Sequence, residues 1–136
     1  MKSLETLLKV AQRRLDDVGR EIARLGQHLD GLRMEEARVI GREQAEIAAA
    51  LHDITLMAMM PAYRRRIAQE VALLQARVGQ AEALMADTRI RLTEAFQEKS
   101  KFEELLQRER VRAAMALSAL EQAALDEAAI NRVGRD

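Results

Sequence analysis

His28 and His52 are the chain's two imidazoles, and there is no cysteine beside them to complete a soft metal site. Paired carboxylates are more plentiful, at Asp16-Asp17, Glu35-Glu36 and Glu103-Glu104. Such a pair can divide acid and base roles only where a concave, water-poor pocket separates the two pKa values. No glycine-rich phosphate loop, nucleophile elbow or metal-spaced triad accompanies them. Catalytic residues, metal and cofactor are therefore expected to be absent, and the chain is not read as an enzyme. Three other groups are suited to contact rather than catalysis. Arg64-Arg65-Arg66 and Arg108-Glu109-Arg110-Val111-Arg112 are charged runs, solvated faces or docking points for an acidic partner. The third, Leu56-Met57-Ala58-Met59-Met60-Pro61-Ala62-Tyr63, is an apolar run whose methionines could adapt to another protein's surface or cap the chain's own core.

The elements that must carry these residues are helices. Of 136 residues, 49% are hydrophobic and 32% charged, yet only 2% are aromatic, with one proline and no tryptophan. Ala, Leu, Arg and Glu dominate, the composition of a coiled coil or long helix. A small sandwich, barrel or α/β domain would lean on aromatic area and on turns rich in Gly and Pro. Lys plus Arg equals Asp plus Glu at 22 each, so no net basic field exists to hold nucleic acid. Glu5 interrupts any signal-peptide core, and the longest apolar stretch is far below the 18 or so residues of a membrane span. A cytoplasmic protein is the expectation, with neither nucleic acid nor a small-molecule substrate as a partner.

Hydrophobic spacing locates the helices. Steps of four and three from Leu4 pass through Leu8, Ala11, Leu15, Val18, Ile22, Leu25, Leu29 and Leu32, all apolar, a 3.5-residue period. Ser3 is a candidate cap and Glu5 suits the first turn. Beyond Leu32 the next strong position is Ile40, eight residues on, which predicts a phase slip, with Glu36 and Gln44 interrupting. Pro61 predicts the break between helices. After it, the same spacing runs through Ile67, Val71, Leu74, Val78, Ala81, Met85, Thr88, Leu92, Ala95, Lys99, Phe102 and Leu106, and on through Ala113, Leu117, Leu120 and Ala124 towards a stop at Gly134. Thr88 and Lys99 are polar seam positions of the kind that set register.

The predicted fold is all-α: a two-helix antiparallel coiled-coil hairpin forming one domain over residues 1–136. Helix 1 is expected over about 4–58, the turn at about 57–62 and helix 2 over about 62–132. Facing residues would then sum to about 120, pairing Leu15 with Leu105 and Gly41 with Gly79. The hairpin is expected to be a monomer on its own; a parallel homodimer of kinked single helices is the alternative. Met57, Met59, Met60 and Tyr63 would crowd a tip too thin to bury them all.

The two ends of the chain resemble the flagellar type III export protein family FliJ. The resemblance is carried by Leu4-Glu5-Thr6-Leu7 with Ala11 and Asp16-Asp17, by Glu98-Lys99-Ser100-Lys101-Phe102-Glu103 with Leu105 and Arg108, and by Leu125-Asp126-Glu127-Ala128. It implies a coiled coil similar to the central stalk of rotary ATPases. The terminal ends of such a stalk enter the export ATPase ring, while another part engages the membrane-embedded export gate, and the protein escorts export chaperones. On that resemblance Asp16, Asp17, Arg108, Arg110, Arg112, Asp126 and Glu127 are candidate ATPase contacts, and the Met-rich tip is a candidate contact for gate or chaperone. An injectisome stalk and a generic coiled-coil adaptor are the alternatives.

Overall fold

The computed structural model describes residues 2–135; Met1 and Asp136, the end positions of the expected hairpin, lie outside the described residues. Two helices account for nearly all of it, α1 (Lys2–Ala50) and α2 (Ile54–Gly134), packed against each other as a helical hairpin. Glu5 does occupy the first turn of α1, but the helix already includes Ser3, which is therefore not its cap. Two compact units are distinguished along the chain, Met1–Asp16 with Glu94–Asp136, and Asp17–Thr93.

The connection between the helices is Leu51–Asp53, earlier than the expected 57–62, and Pro61 lies inside α2. Asp53 is the reason. Its carboxylate accepts from the backbone N–H groups of Thr55 (2.9 Å) and Leu56 (3.3 Å), and its carbonyl accepts from Met57 N at 3.0 Å. An aspartate in that position satisfies donors that would otherwise be orphaned and sets the helix start there. At the other side of the turn, His52 N and Asp53 N donate to the carbonyls of Ala49 and Ala50, closing α1 with no residue at positive φ. Pro61 then forfeits one hydrogen bond within an established helix. Half-buried Leu56, Met60 and Tyr63 and buried Ile67 hold that stretch against α1.

Moving the turn moves the register. In the unit Asp17–Thr93, Arg91 pairs with Glu21 (3.1 Å), Arg33 with Glu82 (2.8 Å) and Arg42 with Glu70 (3.5 Å), and Gln75 donates to Glu36 (3.2 Å). The numbers in these pairs sum to between 111 and 115, not 120. In the other unit Arg14 meets Glu98 at 3.3 Å, which again sums to 112. The helices are thus slid by about two turns, and neither Gly41 with Gly79 nor Leu15 with Leu105 is a facing pair.

Within Asp17–Thr93 the buried residues are Val18, Leu29, Val39 and Ala50 from α1 and Ile67, Leu74, Ala81, Met85 and Thr88 from α2. The expected phase slip is absent. Val39, 1% exposed, takes the seam position seven residues after Leu32, and Ile40 faces outward. Of the two expected interruptions, Glu36 is half-buried and accepts from Gln75 across the helices, while Gln44 is exposed and its half-buried neighbour Glu43 engages Arg64 instead. Val39, Ile67 and Leu74 form one cluster with Leu32, Tyr63 and Val71 packed on it. Within the other unit Ala11, Ala95 and Leu106 are buried, with Leu4, Leu8, Leu15 and Phe102 half-buried.

Thr88 is fully buried, yet its hydroxyl donates to Leu84 O at 2.8 Å, on its own helix. Half-buried Lys99 pairs with Glu103 one turn on, at 3.3 Å. Both polar groups are thus satisfied locally and contribute no cross-helix polar bond to the register, which is set by the cross-helix pairs and the Val39 cluster instead.

Three outcomes test this description. Asp53→Ala should cost about 1 kcal/mol of stability, read as a lower midpoint in urea, whereas a proline-set turn would leave it unchanged. Cysteines at Val39 and Leu74 should form an intramolecular cross-link under mild oxidation; preferential linkage of Val39 to Ala81, the 120 register, would refute the observed one. A β-carbon built at Gly41 or Gly79 meets nothing within 4 Å, so Gly41→Ala and Gly79→Ala should each add about 1 kcal/mol, measured in the same titration.

Candidate partner-binding site

In the unit Met1–Asp16 with Glu94–Asp136, α1 starts at Lys2, and at the observed register its partners on α2 end near residue 110. Every described residue from 111 onward is exposed. The apolar side chains there include Val111 (47% exposed), Met115 (69%), Leu120 (69%) and Ile130 (71%), large groups that a finished fold would cover. They are not confined to one stripe: at 3.6 residues per turn Met115 and Leu117 point about 200° apart. Gln107, Arg108, Val111, Arg112 and Met115 line a shallow depression of about 370 Å³.

The candidate ATPase contacts distribute over several places. Arg108 and Arg112, one turn apart, share that depression, each held by a glutamate of its own helix: Glu104 at 2.6 Å and Glu109 at 3.1 Å. Arg110 is exposed and, two residues from each, on another face. Asp126, on the same exposed stretch, accepts from Gln122 at 3.1 Å, and Glu127 is exposed beside it. Asp16 accepts from Gln12 at 2.9 Å and sits some 12 residues along the hairpin from the level of Arg108, about 18 Å at the helical rise. Asp17 belongs to the other unit, where it pairs with Arg20 at 3.0 Å. All seven are exposed, and the ion pairs of Asp17, Arg108 and Arg112 are of the kind worth little to stability, so these charges remain available for exchange with a partner.

The Met-rich segment, in the unit Asp17–Thr93, is the first turns of α2 rather than the turn itself. Met57 and Met59 are 49% and 61% exposed, whereas Met60 and Tyr63 are half-buried against α1. Glu46, Leu56, Met59, Met60, Ala62, Tyr63 and Arg66 surround a depression of about 280 Å³. The Tyr63 hydroxyl is buried there without a hydrogen-bond partner. Of the arginine run, Arg64 approaches Glu43 (3.6 Å) and Arg65 donates to Pro61 O (3.3 Å). Leu51 and Ile54, 65% and 86% exposed, belong to the same surface, which a turn at Pro61 would have placed within helix 1 instead. The sequence signal for them was Asp53, a capping residue standing between two apolar runs.

His28 and His52 are exposed, and among the described residues no three His, Asp or Glu side chains gather as metal ligands. Near Glu35 the guanidinium of Arg38 is pushed above its ordinary pKa, first by their hydrogen bond and then by the carboxylate charge, which leaves a permanent cation as it was.

No curated protein and no solved structure matches the chain. The family model for the flagellar FliJ protein matches residues 1–136, the whole chain. Helical hairpin and whole-length match agree: the chain belongs to the flagellar FliJ protein family and is a flagellar export-related protein.

Proposed function

We propose that the chain is a non-enzymatic coiled-coil component of the cytoplasmic side of the flagellar export apparatus, joining the export ATPase ring to the membrane-embedded export gate and escorting export chaperones. The observation that supports this most is the α2 segment 111–134, exposed throughout and apolar on more than one face. A flat partner would cover one stripe of such a helix. A ring that encloses it covers all of them, and the scattered charges Arg112, Asp126 and Glu127 then meet polar groups on different walls. The Met-rich segment supplies a second, adaptable surface for gate or chaperone, since methionine fits more than one partner.

The test uses the full chain and its cognate export ATPase. Met115→Asp combined with Leu120→Asp changes only exposed positions, so the melting curve should be kept. Capture of the ATPase and stimulation of its hydrolysis should fall by tenfold or more, and reversing Arg108, Arg112, Asp126 and Glu127 together should weaken both in a salt-dependent way. Wild-type stimulation by both variants at equal helicity would reject the reading.

A further inference from the structure

From Ile47 to Tyr63 the chain carries a single formal charge across 17 residues, that of Asp53. That carboxylate is turned inward on the backbone, accepting from Thr55 N and Leu56 N. The N–H groups of His52, Asp53 and Met57 are hydrogen-bonded as well. The turn therefore has few of the unsatisfied donors that keep loops out of apolar media. Around it, Leu51, Ile54, Met57 and Met59 stand 49% to 86% exposed. On a helical wheel Ile54, Met57 and Met59 spread over roughly 200°, too wide for one protein face to cover. Where charge resumes, cations are in slight excess: Arg42, Arg64, Arg65 and Arg66 against Glu43, Glu46 and Glu70. Arg64 is near Glu43 and Arg42 near Glu70, while Arg65 and Arg66 have no carboxylate at ion-pair distance among the described residues.

We infer that this end of the hairpin is a lipid-inserting tip, in which Leu51, Ile54, Met57 and Met59 sink into the interface of an anionic membrane and Arg65 and Arg66 hold its phosphate headgroups. The dimensions agree. Glu46 shares a depression with Met60 and Tyr63, so the charge-free cap extends from the turn to the level of about Met60, roughly 10 Å at the helical rise. Interfacial helices sink about that far. A span would need far more, and among the described residues no helix is long and apolar enough to cross a membrane. A fluid apolar medium wets every side of the tip at once and asks for no matching polar groups, which a stretch with one charge in 17 residues does not offer, and a basic border adds attraction that falls with salt. The inference needs no export protein and so stands apart from the ATPase contact proposed above; it takes Met57 and Met59 for lipid and leaves Met60 and Tyr63 of the same segment to gate or chaperone.

Flotation of the full chain with vesicles of equal parts phosphatidylethanolamine and phosphatidylglycerol tests it. At low salt the wild type should float with these vesicles, less so with phosphatidylcholine alone, and less as salt rises. Ile54→Asp with Met57→Asp alters exposed side chains near a helix N-terminus, where carboxylates are tolerated. It should keep the melting curve and lose binding by tenfold or more, while Arg65→Gln and Arg66→Gln should each weaken binding to the anionic vesicles about fivefold. No flotation at low salt would overturn the inference, as would flotation that the double aspartate variant leaves intact. So would a tip-dependent dimer of the chain that forms without lipid and leaves vesicles unbound. ATPase stimulation, measured on the same variants, should be unchanged, which separates failure here from failure of the export reading.

Discussion

Two helices have a single seam between them, and every other face of each helix meets water or a partner. That constraint accounts for the composition. A seam needs one apolar residue every three or four, so half the chain can be polar, and small residues such as Ala11, Ala50, Ala81 and Ala95 serve as well as leucine because they let the backbones approach. Few positions are fully enclosed, Val39 and Thr88 being the most. The flanks of the seam are occupied by arginines and glutamates that reach across it, such as Arg33 to Glu82 and Arg91 to Glu21. Each such pair contributes little energy, but a slide by one turn would break all of them together, so they add to register more than to stability.

The seam was legible in the sequence wherever apolar residues recurred without interruption. From Leu4 to Leu32 and from Ile67 to Leu106 every position named from the spacing is buried or half-buried. It became illegible where a glutamate took a seam position. Glu36 reads as an interruption because a sequence pattern cannot show that Gln75 lies opposite to satisfy it, and Gln44 reads as one only in the slipped phase: it is exposed, and the seam position beside it is Glu43, which reaches Arg64. The turn was misplaced for a related reason. Pro61 is the stronger sequence signal, but its effect is a local penalty on one hydrogen bond, whereas Asp53 engages two backbone donors at a helix start. With the turn misplaced, the facing pairs and the extent of the tip were misplaced too.

The candidate contact surface was legible as residue types and not as a place. Arg108 and Arg112 were found because charge runs are visible, and the structure puts them beside Val111 and Met115. Asp16 and Asp17 came from the resemblance at the start of the chain, and neither shares a site with those arginines in the unit to which it belongs. The expected helix lengths already leave the end of α2 overhanging α1, and the earlier turn lengthens that overhang: Leu117 and Leu120 continue the same period as Leu106, but at the observed register α1 begins opposite about residue 110.

Exposed apolar surface thus occurs in two forms, and their chemistry differs. Along residues 111–134 five charged residues are interspersed among the apolar ones: Arg112 before Met115, Glu121 after Leu120, Asp126 and Glu127 after Leu125, and Arg132 after Ile130. Burying that helix in a uniform apolar medium would desolvate every one of those charges at several kcal/mol each, a cost only a structured partner with matching polar groups can offset. From Ile47 to Tyr63 that cost falls on one group alone, the Asp53 carboxylate, and the two backbone N–H groups donating to its Oδ1 offset part of it. The first surface calls for a protein that is specific about where its polar groups sit. The second places no such demand, which is why the same hairpin can present one end of its chain to a folded partner and its turn to an apolar phase without either surface competing for the other's ligand.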